Sequence, residues 1–295
     1  MLLNPFTLHL PKTAREAASL YVRTQNLASD PVSLPQILAG GTFLLNRLKL
    51  LKTKGTTTPG NILSLARVEE LKGISLNDGI LTIKAMTRIN EIFESPLLDG
   101  HLNILHAVCR NIATNPIRNM ATIGGNLTCR YTWTEMGAVM VALEAQLHFL
   151  GPDGKEEIIS AENFFKGSAH CEKLFTHVTI PSQANARSVY RRVKKTVHMD
   201  VPVLAICLKA EIKKNRWSNT RIGINNGMAF AQRDTMLEEF LNKSVSSPNL
   251  GQEALGHLTA PIYDTRSSDY KQHMFRVSIK SAINEIVGTQ DLASA

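Results

Sequence analysis

Apolar residues recur along this chain with two periods, and the switches between them mark out its elements. Near the start, residues 13–26 put Ala17, Leu20 and Tyr21 at helical spacing, with Thr13 and Glu16 in the order that caps a helix N-terminus. A short strand is expected over residues 33–38, and the residues after it carry Leu44, Leu48 and Leu51 along one helical face. From Asn61 the pattern alternates. Strands are expected over 62–65 and 80–85, a short helix over 68–71, and another helix from Thr87. A longer helix over 96–113 aligns Leu98, Leu102, Leu105, Cys109 and Ile112, and Pro116 stops it, because proline excludes α geometry from the residue before it.

A further helix over 134–145 turns Met136, Val139, Met140 and Leu143 inward, and Gly151-Pro152-Asp153-Gly154 marks a hairpin. Beyond Pro181 the period changes to two. Strands over 188–193, 203–212 and 217–224 read as antiparallel, with a polar turn at 213–216. Helices over 233–241 and from Asp269 follow, the last with Phe275, Ile279, Ile283 and Ile286 in line. The organisation is α+β.

The 295 residues suffice for two domains, and 43% apolar content can build real cores. No apolar run approaches the ~20 residues a bilayer requires, and Met1-Leu2-Leu3-Asn4-Pro5-Phe6 lacks the basic start and long apolar stretch of a secretory signal. A soluble, cytoplasmic protein is expected. Cys109, Cys129, Cys171 and Cys207 stand singly, with no CxxC pair, which argues against a zinc ribbon or an iron–sulfur site within the chain. They read as reduced, mostly buried thiols. The net charge of +8 sits in short clusters, and aromatics at 6% are too few for the stacking platforms of a nucleic-acid binder. An anionic cofactor or acidic partner accounts for the charge.

No GxGxxG opens a helix after a strand, so a Rossmann dinucleotide site is not supported. Gly151-Pro152-Asp153-Gly154-Lys155 has the wrong spacing for a P-loop, and HExxH and GxSxG are absent. Nine histidines are scattered without metal-ligand spacing, and His198 beside the basic cluster reads as structural or solvated. No metal site is expected.

Two glycine pairs remain: Ile37-Leu38-Ala39-Gly40-Gly41-Thr42-Phe43-Leu44 and Ile117-Arg118-Asn119-Met120-Ala121-Thr122-Ile123-Gly124-Gly125-Asn126. Glycine reaches positive φ cheaply and lets amide groups approach an anion, so the two pairs read as cradles closing on one phosphate-bearing ligand from opposite sides. Thr42 is expected to cap the helix after the first pair, directing its N-terminus at a pyrophosphate.

These two segments, with Ile83-Lys84-Ala85-Met86-Thr87 between them, resemble the FAD-binding medium subunit of the molybdenum hydroxylases, the group that includes carbon monoxide dehydrogenase and bacterial xanthine dehydrogenase. The run from Tyr190-Arg191-Arg192 to Asp200-Val201-Pro202-Val203 and the run Pro261-Ile262-Tyr263-Asp264-Thr265-Arg266 continue the resemblance in order, nearly end to end. The resemblance implies an FAD-binding PCMH-type domain, vanillyl-alcohol-oxidase-like, over residues 1–181, with subdomains at about 1–58 and 59–181. A smaller α+β domain with a three-stranded antiparallel sheet would occupy 182–295.

The resemblance also implies roles. Ile37, Leu38, Ala39, Gly40, Gly41, Thr42, Phe43 and Leu44, together with Thr122, Ile123, Gly124, Gly125 and Asn126, would hold the pyrophosphate and adjoining flavin atoms. Ile112 and Leu174 would give apolar contacts, and Arg192 would lie near the cofactor as a fixed cation. No catalytic residue in this chain is implied. Molybdopterin and two 2Fe–2S clusters would belong to a large and a small partner subunit, and NAD⁺ or another acceptor would take the electrons.

The chain also departs from the family. Phe43 stands where Asp often follows Gly-Gly-Thr. The loop after the second cradle, Cys129 to Glu135, lacks the usual Pro/Gly and Asp, so Glu135 would take over that Asp's hydrogen bonding. Pro202 replaces a small residue, and Asn225-Asn226-Gly227 replaces a glycine pair. Tyr131 and Trp133 are expected to cover the flavin. A flavin-depleted docking subunit and a stand-alone FAD oxidoreductase are the alternative readings.

Overall fold

The structure, a computed structural model, describes residues 4–26, 34–56, 58–129, 131–132, 134–167, 173–196, 201–226, 230–264 and 268–291. The chain begins with β1 (Thr7–His9), α1 (Ala14–Gln25), β2 (Gln36–Leu38), α2 (Leu44–Thr53) and β3 (Asn61–Ser64). The three strands form a parallel sheet in the order β1-β3-β2. Thr13 caps α1 as its sequence implies, its hydroxyl accepting from the Glu16 N–H at 3.1 Å. Ala14, Ala17 and Ala18 of α1 pack on Leu63, Leu65, Val68 and Leu71.

The middle of the chain adds β4 (Ile74–Asn77), β5 (Ile80–Lys84), α3 (Ile89–Phe93), α4 (Ile104–Asn111), α5 (Asn115–Arg118), α6 (Ile123–Thr128), α7 (Met136–Ala142), β6 (Gln146–Leu150), β7 (Glu156–Ser160), α8 (Ala161–Lys166) and β8 (Leu174–Pro181). Its five-stranded antiparallel sheet runs β4-β5-β8-β6-β7, with β6 and β7 forming the expected hairpin. Every residue of α7 is buried, the signature of a helix that is apolar all round. The long helix expected over 96–113 is shorter. A single 3₁₀ turn at Gly100–Asn103 precedes α4, because Asp99 caps Gly100 locally and Gly100 takes positive φ.

The remainder is β9 (Ala186–Val193), β10 (Leu204–Lys213), β11 (Arg216–Asn225), β12 (Gln232–Arg233), α9 (Thr235–Asn242), α10 (Leu250–Glu253), α11 (Ala260–Asp264) and α12 (Asp269–Asp291). The three expected strands are present, and β12 adds a two-residue fourth at the edge, in the order β12-β11-β10-β9. Phe275, Ile279, Ile283 and Ile286 of α12 are buried against this sheet, as their spacing implies.

Two devices join this sheet to the middle layer. Gly223 of β11 lies so close to α7 that a Cβ would sit 1.9 Å from the Ala138 carbonyl oxygen, which leaves room for no other residue. Lys209, fully buried, is held by Glu144 and by Gln183 at 3.0 Å, while Arg221 reaches the other oxygen of Glu144 at 3.0 Å. A buried ammonium is tolerable only when paired in this way.

Candidate functional site

β2 ends at Leu38, whose carbonyl accepts the Leu65 N–H at 3.0 Å, and the chain then turns through Ala39, Gly40 and Gly41 into α2. Gly41 takes φ +72°, a conformation that costs glycine nothing. Thr42 is not the helix cap. That position falls to Phe43, in α geometry and without a side-chain bond, so the helix starts one residue later than expected. The physical consequence is a gain in donors. Among the described residues, no hydrogen bond takes the N–H groups of Gly40, Gly41, Thr42 and Phe43. Consecutive amides around one left-handed residue make a concave anion-binding nest.

The second glycine segment works differently. Thr122 caps α6, its hydroxyl oxygen accepting the Gly125 N–H at 3.2 Å. The Ile123 N–H goes to Thr87 O at 3.0 Å, the Gly124 N–H to Ala85 O at 2.9 Å, and the Asn126 N–H to Thr122 O at 3.0 Å. These amides are therefore committed to the protein, and the expectation that they offer a second set of donors is corrected. Gly124 is glycine for packing, since a Cβ would meet Ala85 O at 2.7 Å. What the segment presents is the Asn126 side chain, whose amide oxygen is buried without a partner.

The two segments also touch. A Cβ on Gly40 would stand 1.9 Å from Met120 O, and one on Gly125 would stand 3.9 Å from the Ala39 Cβ. They pack side by side rather than closing from opposite sides. The aromatic rings of Phe43 and Tyr131 meet at 4.8 Å, tilted by 55°, and link the loops that follow the two segments. Trp133, His198, Asp200, Cys171 and Gly227 lie outside the described residues.

Glu135 and Arg192 come together. Arg192 Nε donates to Glu135 Oε1 at 2.6 Å, and the Tyr190 hydroxyl donates to the same oxygen. Both members of the ion pair are buried, at 5% and 9% exposure. Burial pushes the Glu135 carboxyl up, and Tyr190 and Arg192 pull it back without cancelling the shift. Burial and the Glu135 charge hold the Tyr190 phenol well above its ordinary range. Tyr190 was missed as a site residue, although its place two residues before Arg192 on one strand puts both on the same sheet face.

Leu174 is buried in the cluster of Leu65, Val68 and Met86, against which Ile37 and Ala39 also pack, so it supports the first glycine turn from below. Ile112 is half-buried against the core of the middle layer. The guanidinium of Arg118 donates to Ile112 O at 3.0 Å, and Ala113 beside it takes φ +45°. No sequence signal pointed to this role for Arg118. Cys109 and Cys207 are buried thiols, the former pushed up to about 12 by desolvation, and Cys129 is half-buried and also raised. None is poised as a nucleophile.

Four unspent amides beside a buried, unpartnered carboxamide oxygen fit a ligand that brings both acceptors and donors. A dinucleotide, with a pyrophosphate and ribityl or ribose hydroxyls, supplies both. The arrangement, between a small parallel sheet and a larger antiparallel one, suits a dinucleotide of the flavin type. A family model described as the FAD binding domain in molybdopterin dehydrogenase matches residues 4–183, more than half of the chain, and the chain belongs to that family.

The carbon monoxide dehydrogenase medium chain of Hydrogenophaga pseudoflava is 27% identical over 289 residues, covering 95% of this chain and 96% of its own. The putative xanthine dehydrogenase FAD-binding subunit of Escherichia coli is 24% identical over 282 residues, covering 92% and 94%. A solved structure of the H. pseudoflava carbon monoxide dehydrogenase, in a form lacking the Mo-pyranopterin moiety, superposes with a TM-score of 0.85 at 26% identity, covering 96% of this chain and 98% of that one. The chain is an oxidoreductase component with an FAD-binding domain. Among the described residues no helix is long and apolar enough to cross a membrane.

Proposed function

We propose that this chain is the FAD-binding electron-transfer subunit of a molybdenum hydroxylase complex. It takes electrons from the 2Fe–2S clusters of a small partner subunit and passes them to NAD⁺ or another acceptor, while a large subunit holds molybdopterin and oxidises the substrate. The observation that carries the reading is the row of unpartnered N–H groups at Gly40, Gly41, Thr42 and Phe43. Bound FAD would supply both one- and two-electron chemistry.

The residues of the chain bind and orient. The nest takes the pyrophosphate, Asn126 accepts a hydroxyl, and Leu174, through Ile37 and Ala39, keeps the turn in place. Arg192 brings positive charge to the site, largely neutralised by Glu135, so the pair offers a polar wall more than a net cation. Residues 1–181 are read as the FAD-binding unit and 182–295 as the second domain. The link between β8 and β9, at Pro181 to Ala186, is where one sheet ends and the next begins.

The test is purification of the tag-bearing chain from its native host, with flavin and metal analysis. The expected result is one FAD per chain, with molybdenum and iron arriving together in the same complex. A correctly folded chain that ignores added FAD overturns the reading. The commitment of Glu135 Oε1 to Tyr190 and Arg192 favours a second reading, a docking subunit with weakened flavin binding. Asn126→Leu, close in volume, separates the two. The electron-transfer reading requires weaker FAD binding with the complex still assembled, and the docking reading requires no change in a flavin content already low.

A further inference from the structure

The five-stranded sheet carries a side-chain cluster that the flavin reading does not use. Leu147 and Val178, paired across β6 and β8, face the core. Their chain neighbours His148 and His177, also paired, therefore face the other way. Glu156 of β7 lies next to them: its Oε1 is 3.1 Å from His148 Nδ1 and 4.0 Å from His177 Nε2. The three donor atoms lie within 4.8 Å of one another on three adjacent strands.

A hydrogen bond to its neighbouring threonine orients His177. The Thr176 hydroxyl donates to the His148 carbonyl at 3.1 Å, which uses its only proton. Thr176 Oγ1 must then accept from His177 Nδ1, 3.0 Å away, leaving His177 Nε2 with a bare lone pair toward the carboxylate. His148 has a threonine partner too: its Nε2 is 3.0 Å from Thr179 Oγ1, while its Nδ1 hydrogen-bonds Glu156 Oε1 at 3.1 Å through a proton that a bound cation would displace. Orienting partners on the far nitrogen are what a histidine ligand has.

We propose that His148, His177 and Glu156 form a binding site for a borderline divalent cation of the Zn²⁺ type, separate from the flavin cradle. Bonds of about 2.0–2.2 Å in a tetrahedron put donor atoms about 3.4 Å apart, so the separations of 3.1 and 4.0 Å to Glu156 need only small adjustment, and the third, within 4.8 Å, needs at most about 1.4 Å of closure. The rings stack at 4.0 Å, tilted by 16°, and binding turns His177 out of the stack about its Thr176 anchor. Lys84, paired with His177 across β5 and β8, works against any cation here.

The experiment is calorimetric titration of Zn²⁺ into the tag-free full chain, with circular dichroism to establish folding of each variant. Wild type is expected to take up one equivalent. Glu156→Gln, at an exposed position, and His177→Ala each weaken binding by at least about 10-fold, and Lys84→Met tightens it. No saturable uptake by the wild type, or uptake that both ligand variants leave unchanged, overturns the proposal.

Discussion

Replacing Gly40 by alanine tests whether the contact between the two glycine segments holds the nest in shape. The added Cβ would stand 1.9 Å from Met120 O, 2.7 Å from Met120 C and 2.9 Å from Ala121 Cα, all of them backbone atoms that no rotamer change can move aside. Ordinary contact requires the segments to part by about 1 Å or more, and overpacking of this kind costs about 1–3 kcal/mol. The same displacement takes the amides of Gly40 and Gly41 out of hydrogen-bond range of a ligand seated on the other side. Each N–H bond to a charged oxygen contributes about 1.5–3 kcal/mol, so losing one weakens FAD about ten- to a hundredfold. The assay is flavin fluorescence titration of the apoprotein, with thermal melts of the same samples. Gly60→Ala is the control, since Gly60 lies in open space and its φ is not positive. A Gly40→Ala protein with wild-type FAD affinity and an unchanged melting temperature refutes the reasoning.

Three further outcomes are expected. Glu135→Ala removes the buried carboxylate that accepts from both Tyr190 and Arg192 and lowers stability by about 1.5–3 kcal/mol, read as a shift in the urea midpoint at constant m. Leu174→Ala opens a cavity beneath the first glycine turn and costs about 2–5 kcal/mol, seen in the same unfolding curves. For Glu144, burial raises the pKa, but Lys209 and Arg221 more than offset it, so the folded value lies below the ordinary 4.5. A depressed carboxylate adds stability above its unfolded pKa and loses it as pH falls through the folded one. Melting temperature should therefore drop as pH is lowered below about 4.5, and Glu144→Gln should flatten that limb while lowering the neutral plateau.

Much of the fold was legible because local pattern and tertiary burial agree. The stripe Phe275, Ile279, Ile283 and Ile286 and the cap at Thr13 needed no partner to be read. The two glycine turns were legible as residues but not as donors. Gly-Gly in sequence does not say whether its amides are free, and Gly124 spends its own on Ala85 O while Gly40 keeps its own. The shorter α4 was hidden because Leu98 and Leu102 keep helical spacing through a stretch that turns at Asp99 and Gly100. The histidine cluster was invisible for a related reason: metal-ligand spacing is sought along the chain, and these ligands are neighbours across strands 29 residues apart in the pairing of His148 with His177.

The sequence by itself determined the α+β layout, the family and the place of the two glycine turns, since periodicity, capping and the need for a missing Cβ act over a few residues. Only the tertiary structure decided which amides stay unspent, that Glu135 binds Arg192, and that two histidines and a glutamate share one sheet face. Those outcomes depend on which distant carbonyl or charge arrives within hydrogen-bond reach. That is set by strand register and by how closely one backbone can lie on another.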